Sequence, residues 1–124
     1  GLERQGQLRV EVAVDDEQLL SPEQRNQLFR IQQEAATNVL RHAQASRLEI
    51  RGTAGAGGYC LEIIDDGVGP GQVRPDASGL RNMRERAALA GGSLAFGPGP
   101  QGGTRVAVCL PLAPAERSSQ EARA

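Results

Sequence analysis

A chain of 124 residues, with 39% apolar and 23% charged side chains, is long enough for one packed domain and too short for two. Acids and bases nearly cancel to a net charge of −1, which removes the footprint of a non-specific nucleic-acid binder. No apolar stretch approaches the roughly 20 residues that span a bilayer and no secretory leader is present, so a cytoplasmic domain without membrane contact of its own is expected.

The stretch "QLRVEVAV" (7–14) sets Leu8, Val10, Val12 and Val14 against polar partners, the period-two mark of a strand with one buried face. After the turn "DDEQLLSPEQ", Ser21-Pro22 offers an N-cap with proline at the first helical position. From Pro22 to about Ala43 the period is helical. Leu28, Phe29, Ala35, Ala36, Val39, Leu40 and Ala43 share one broad sector and predict the core face. Glu34, Asn38, Arg41 and His42 fall in a narrower sector of their own, so the helix carries one concentrated polar stripe.

"RLEIRGT" (47–53) and "YCLEIID" (59–65) alternate again, and the turn "AGAGG" predicts an antiparallel hairpin with a loose loop. The glycine- and proline-rich segment 66–79 fits neither strand nor helix. "LRNMRERAALAGG" (80–92) reads as an amphipathic helix stopped by a glycine pair. "SLAF" (93–96) and "TRVAVCLPL" (104–112) read as the last strands, separated by "GPGPQGG". Beyond Pro114 the apolar pattern ends, giving a domain over 1–114 and a disordered tail over 115–124. Cys60 and Cys109 sit inside apolar alternating runs and read as small buried hydrophobes in a reducing compartment, not as a disulfide framework. The start at Gly1, without an initiator methionine, suggests a piece of a longer protein, with any membrane anchor outside it. Five strands and two helices in this order predict an α+β fold, a two-layer α/β sandwich with a mostly antiparallel sheet and helices on one face.

Three glycine-marked places could carry chemistry beside the polar stripe. "DDGVG" (65–69) ends an apolar strand in a carboxylate followed by Gly-x-Gly. Glycines there let the backbone approach a flat ligand, and Asp65 could accept a hydrogen bond from an exocyclic amine. Taken alone, it is an Asp-Gly turn. "SGLRNM" (78–83) places a glycine at the free amides of a helix start, which suit phosphate oxygens; in isolation Ser78 is an ordinary cap. "QGGTR" (101–105) is a hairpin turn unless the other two lie nearby. No G-x-x-x-x-G-K-[ST] occurs, which excludes a P-loop, and the single histidine, His42, supports no serine or cysteine triad.

In this order and spacing the segments resemble the catalytic, ATP-binding domain of bacterial two-component sensor histidine kinases. That domain belongs to the gyrase–chaperone–kinase–mismatch-repair ATPases and has the Bergerat fold. "RIQQEAATNVLRHAQASRLEI" resembles the family's N box, "DDGVG" its G1 box, "SGLRNMRERAALAGG" its G2 region and "GGTRVAVCLP" its G3 box. The forms "QEAATNVLRHA" and "GLRNMRERA", with a very short lid, are similar to the nitrate- and lipid-sensor subfamily. The resemblance covers roughly residues 7–112, and four boxes in register make it specific.

The resemblance implies ATP and Mg²⁺ as cofactors. Asn38 would ligate Mg²⁺, Arg41 contact phosphate, and His42 lie near ribose and adenine. Asp65 would read the adenine amino group, Gly67 and Gly69 pass close to the base, and Thr104 support Asp65. Gly79 and Leu80 would offer backbone amides to the phosphates. Glu34 has two implied roles: the water-activating base of gyrase-type members, or a group that orients Mg²⁺ or the γ-phosphate. The implied partners are a dimerisation domain of the same protein bearing the acceptor histidine, and a response regulator with a helix-turn-helix output domain. Nine residues between Gly69 and Gly79 suggest a short flap over ATP. Two other readings share the fold: an anti-sigma-factor serine kinase, against which the "QEAATNVLRHA" and "GLRNMRERA" wording speaks, and a non-catalytic nucleotide-sensing module.

Overall fold

The computed structural model describes residues 8–69, 71 and 78–112. Strand β1 (Arg9–Val14) is followed by helix α1 (Pro22–Asn38), the hairpin β2 (Arg47–Gly55) and β3 (Gly58–Asp65), helix α2 (Ser78–Leu89), and strands β4 (Ser93–Pro98) and β5 (Thr104–Leu110). The sheet order is β1-β2-β3-β5-β4. All neighbours are antiparallel except β1 and β2, which run parallel because α1 carries the chain back between them. The expected α+β sandwich is the fold observed. The tail expected over 115–124 and most of the flap, residues 70 and 72–77, lie outside the described residues.

Helix α1 starts with a reciprocal cap. Ser21 Oγ accepts from the Gln24 amide and Gln24 Oε1 accepts from the Ser21 amide, both at 3.0 Å, with Pro22 at the first helical position. Gln24 Nε2 also donates to the Pro111 carbonyl at 2.9 Å, tying the helix start to the chain just past β5. The core lies between the helices and one face of the sheet: Ile31 and Ala35 from α1, Leu80, Met83 and Ala87 from α2, and Tyr59, Leu61, Val106, Val108 and Leu110 from the strands.

Four expectations are corrected. The core face of α1 is centred on Leu28, Ile31, Ala35 and Val39, roughly a fifth of a turn from the face the apolar pattern selects. Phe29 (57% exposed) and Leu40 (71%) therefore lie outside the core. The rotation swings Glu34 and Asn38 toward the first turn of the second helix, where both are half-buried. Of β1, an edge strand, only Val14 packs against the core, joined by Leu8 just before it, while Val10 and Val12 stay exposed because neither helix reaches over them. The β2–β3 loop is a two-residue turn, Ala56-Gly57, because pairing continues to Gly55–Gly58. Finally, Cys60 and Cys109 are directly paired across β3 and β5 and joined as a disulfide. Strand parity explains it: Tyr59, Leu61 and Ile63 take the core face, so Cys60 points to the outer face with Glu62.

Tyr59 is fully buried, and its hydroxyl rests where a Gly52 Cβ would stand, 2.7 Å from that position. This hydroxyl has no hydrogen-bond partner among the described residues. Burial, followed by the carboxylates of Glu17, Asp16 and Asp15, pushes its pKa up to about 12. Above pH ~10 an unfolded chain releases this proton while the folded one keeps it, so stability falls as pH rises toward 12. Tyr59→Phe removes both the orphaned hydroxyl and this alkaline loss. Its stability at neutral pH should equal the parent's or exceed it by up to about 1 kcal/mol. Urea midpoints of both proteins across pH 8–12 test this, and parallel declines would refute it.

Candidate functional site

The polar stripe of α1 sits at its C-terminal end. Glu34 and Asn38, one turn apart, face the first turn of α2. A Cβ on Gly79 would stand 2.6 Å from Glu34 Oε2 and 3.7 Å from Asn38 Nδ2, so glycine is what lets the two helices meet here. The amides of Gly79 and Leu80 belong to the first turn of α2, where helix geometry supplies no partner from within the helix itself. The Leu80 side chain is buried in the core, so its amide is the part available to a ligand. Beside this junction, Arg30, Gln33, Glu34, Thr37, Asn82 and Arg86 line a polar cleft of about 340 Å³.

Immediately after Asn38 the helix widens into one π-helical turn, Val39–Ala43, closed by Gln44 at φ 53°. Arg41 and His42 are in that turn. Arg41 is exposed, and the His42 side chain lies outside the described part of the structure.

The second half of the site is built by strand ends. Asp65, the last residue of β3, is 4% exposed and shares the helix-facing side with Ile63 and Leu61. Its Oδ1 accepts from the Gly67 amide at 2.7 Å, which turns the chain sharply. Gly69, at φ 89°, leans on the Gly102 carbonyl, 2.9 Å from where its Cβ would be. A Cβ on Gly103 would fall 2.0 Å from the Asp65 carbonyl oxygen and 2.6 Å from Oδ1. Thr104, half-buried, has the helix-facing parity of Val106 and lies one step past the last registered pair, Ile64–Arg105, which sets it beside Asp65.

The sequence reading passed over Gly103 and Asp66. Asp66 Oδ1 accepts from the Ser46 and Arg47 amides, each at 2.9 Å, and Oδ2 accepts from Ser46 Oγ at 2.7 Å. The Ser46 hydroxyl first, then these amides, hold its carboxyl below the usual range against partial burial. The adjacent aspartates thus divide the work: Asp66 clamps the start of β2, and Asp65 is turned to the site. The pairing of Leu48 with Asp65 was the signal that could have found the clamp.

Among the described residues no three His, Cys, Asp or Glu side chains gather as a metal site. One amide and one carboxylate, Asn38 and Glu34, suit a hard cation that takes its other oxygens from phosphates and water.

Residues 23–114 match the family described as histidine kinase-, DNA gyrase B-, and HSP90-like ATPase. The chain belongs to this ATPase family. Every residue singled out above falls within the matched span. The signal transduction histidine-protein kinase/phosphatase UhpB of Salmonella typhimurium is 41% identical over 97 residues, 77% of this chain and 19% of that protein. The sensor histidine kinase LiaS of Bacillus subtilis is 36% identical over 96 residues, 76% of this chain and 27% of the relative. The nitrate/nitrite sensor protein NarQ of Escherichia coli is 38% identical over 94 residues, 73% and 17% of the two chains. The chain thus spans between a sixth and a little over a quarter of these relatives.

Among solved structures, a blue-light activated histidine kinase of Erythrobacter litoralis superimposes with TM-score 0.75 at 26% identity, covering 94% of this chain and 37% of that one. The ATP binding domain of PrrB from Mycobacterium tuberculosis, at TM-score 0.69 and 24% identity over 86% and 81% of the chains, shares the fold. This is an ATP-binding domain of the sensor histidine kinase type. No helix among the described residues is long and apolar enough to cross a membrane.

Proposed function

We propose that this chain binds Mg·ATP and delivers the γ-phosphate to a histidine on a separate dimerisation domain of its parent protein. The phosphoryl group would then pass to a response regulator with a helix-turn-helix output domain. The observation that carries this reading is the meeting of Glu34, Asn38 and Gly79, a cation ligand set facing the first turn of α2. In this reading Asp65 accepts from the adenine amino group with Thr104 beside it, and Gly67 and Gly69 let the base approach. Asn38 ligates Mg²⁺ through its amide oxygen, and the cation neutralises phosphate charge. Glu34 orients the γ-phosphate end, Arg41 reaches phosphate, His42 lies by the ribose, and the Gly79 and Leu80 amides hold phosphate oxygens. The domain takes residues 1–114 and works in the cytoplasm.

The chemistry asks the domain for position and charge neutralisation. As a P–N bond to the acceptor imidazole forms, the bond from γ-phosphorus to the bridging oxygen breaks and ADP leaves. The isolated chain, incubated with γ-labelled ATP, should bind nucleotide yet carry no phosphohistidine. Adding the dimerisation domain in trans should place acid-labile, base-stable label on that domain, because a positioned acceptor supplies much of the acceleration. Label on His42 would overturn the proposal, and rapid hydrolysis by the chain alone would give Glu34 the water-activating role.

A further inference from the structure

The Cys60–Cys109 pair has no part in the nucleotide site. It lies on the sheet face opposite the helices, in the middle of a row Thr53–Cys60–Cys109–Ser93 that crosses four strands. Thr53 and Ser93 are exposed and both cysteines are partly exposed, which puts the pair at the surface of that face. The Cα atoms are 4.1 Å apart, which keeps the sulfurs adjacent whether or not they are bonded. Neither cysteine belongs to the buried core. Six registered pairs already join β3 to β5, and the Arg105–Glu62 ion pair joins them again on the same face. The two strands are therefore held together by contacts other than the covalent link. A disulfide that folding requires cannot be opened and closed at will, whereas a redundant and accessible one can.

We propose that Cys60 and Cys109 form a reversible dithiol–disulfide couple that exchanges with glutathione-class thiols and disulfides and clamps the β3–β5 ladder when oxidised. In the oxidising direction one protein thiolate attacks glutathione disulfide, forming a mixed disulfide and releasing one glutathione thiolate. The facing protein thiol, after losing its proton, attacks the protein sulfur of that mixed disulfide and expels the second glutathione. The two protein thiols give up two electrons and two protons in all, and one glutathione disulfide becomes two glutathione thiols. The second step is intramolecular between cross-strand neighbours, so the mixed disulfide is short-lived.

Asp65 lies five residues along β3 from Cys60 (65 − 60), and Thr104 five along β5 from Cys109 (109 − 104). At about 3.3 Å per residue that is about 17 Å, too far for the sulfurs to touch a bound nucleotide. The clamp acts instead on transient separation of the two strands that end at the site.

The test equilibrates the folded chain in graded mixtures of reduced and oxidised glutathione, quenches with acid, alkylates and weighs the intact protein. The expected result is a single transition from a doubly alkylated form to an unalkylated form two hydrogens lighter than the free dithiol, with little mixed disulfide. Amide exchange in β3 and β5 should slow in the oxidised form. Cys60→Ser should fold and instead accumulate one glutathione adduct, at Cys109. Double alkylation at every ratio would overturn the proposal. So would a link that persists in excess reduced glutathione, covalent dimers in place of the internal bond, or loss of the native circular dichroism spectrum on reduction.

Discussion

Asp65→Asn is expected to bind ATP about 10- to 100-fold more weakly while keeping its fold. Asp65 is almost completely buried at the end of β3, and its Oδ1 already holds the Gly67 amide. An asparagine keeps that bond through its side-chain oxygen and leaves the Gly67 turn intact. Its amide nitrogen then takes the place of the second carboxylate oxygen, so a donor meets the donor on the adenine ring. Losing a hydrogen bond to a charged acceptor weakens binding by about 1.5–3 kcal/mol, which is roughly 10- to 150-fold. Titration with a fluorescent ATP analogue measures the affinity and a thermal melt checks the fold. An unchanged Kd with an unchanged melt would remove Asp65 from adenine recognition.

Asn38→Ala should separate metal from fold. With Mg²⁺ present, affinity should drop on the order of 10- to 100-fold, as it does when a metal site loses a supporting group. In chelator the loss should be much smaller, because an amide oxygen acts on phosphate only through the cation. The side chain is half-buried beside Gly79 and outside the core cluster, so truncation leaves α1 standing. Equal losses with and without Mg²⁺ would show that Asn38 shapes the pocket and holds no cation.

Most of this architecture was legible because strands and helices write different periods into the chain. The alternation of β3 and β5 placed the sheet, and the shift at Pro22 placed α1. Apolar identity could not tell which apolar residues would be covered. Phe29 and Leu40 extend the stripe of α1, yet the sheet and α2 take the helix from the side of Ile31 and Ala35. Val10 and Val12 alternate as well as any buried strand, but β1 lies at the edge, beyond the helices. Cys60 shows the opposite lapse: its parity with Glu62 named the outer face, and its apolar neighbours hid that. The site was readable as three glycine-marked segments and one polar helix stripe. Their contacts were not, since Gly103 touches Asp65 only through a register between β3 and β5 that no local pattern records.

The site draws on two layers. Glu34, Asn38 and Gly79 come from the helices; Asp65, Gly67 and Thr104 come from the ends of the sheet. Between the layers runs the apolar core, whose attraction has no direction. In the proposed arrangement an ATP molecule bound at both places would tie the two layers by oriented polar contacts. Occupancy and rigidity then become one thermodynamic variable: nucleotide at a hundred times its Kd adds about 2.7 kcal/mol to folding stability. A chain made this way carries in its own melting temperature a record of how much ATP surrounds it.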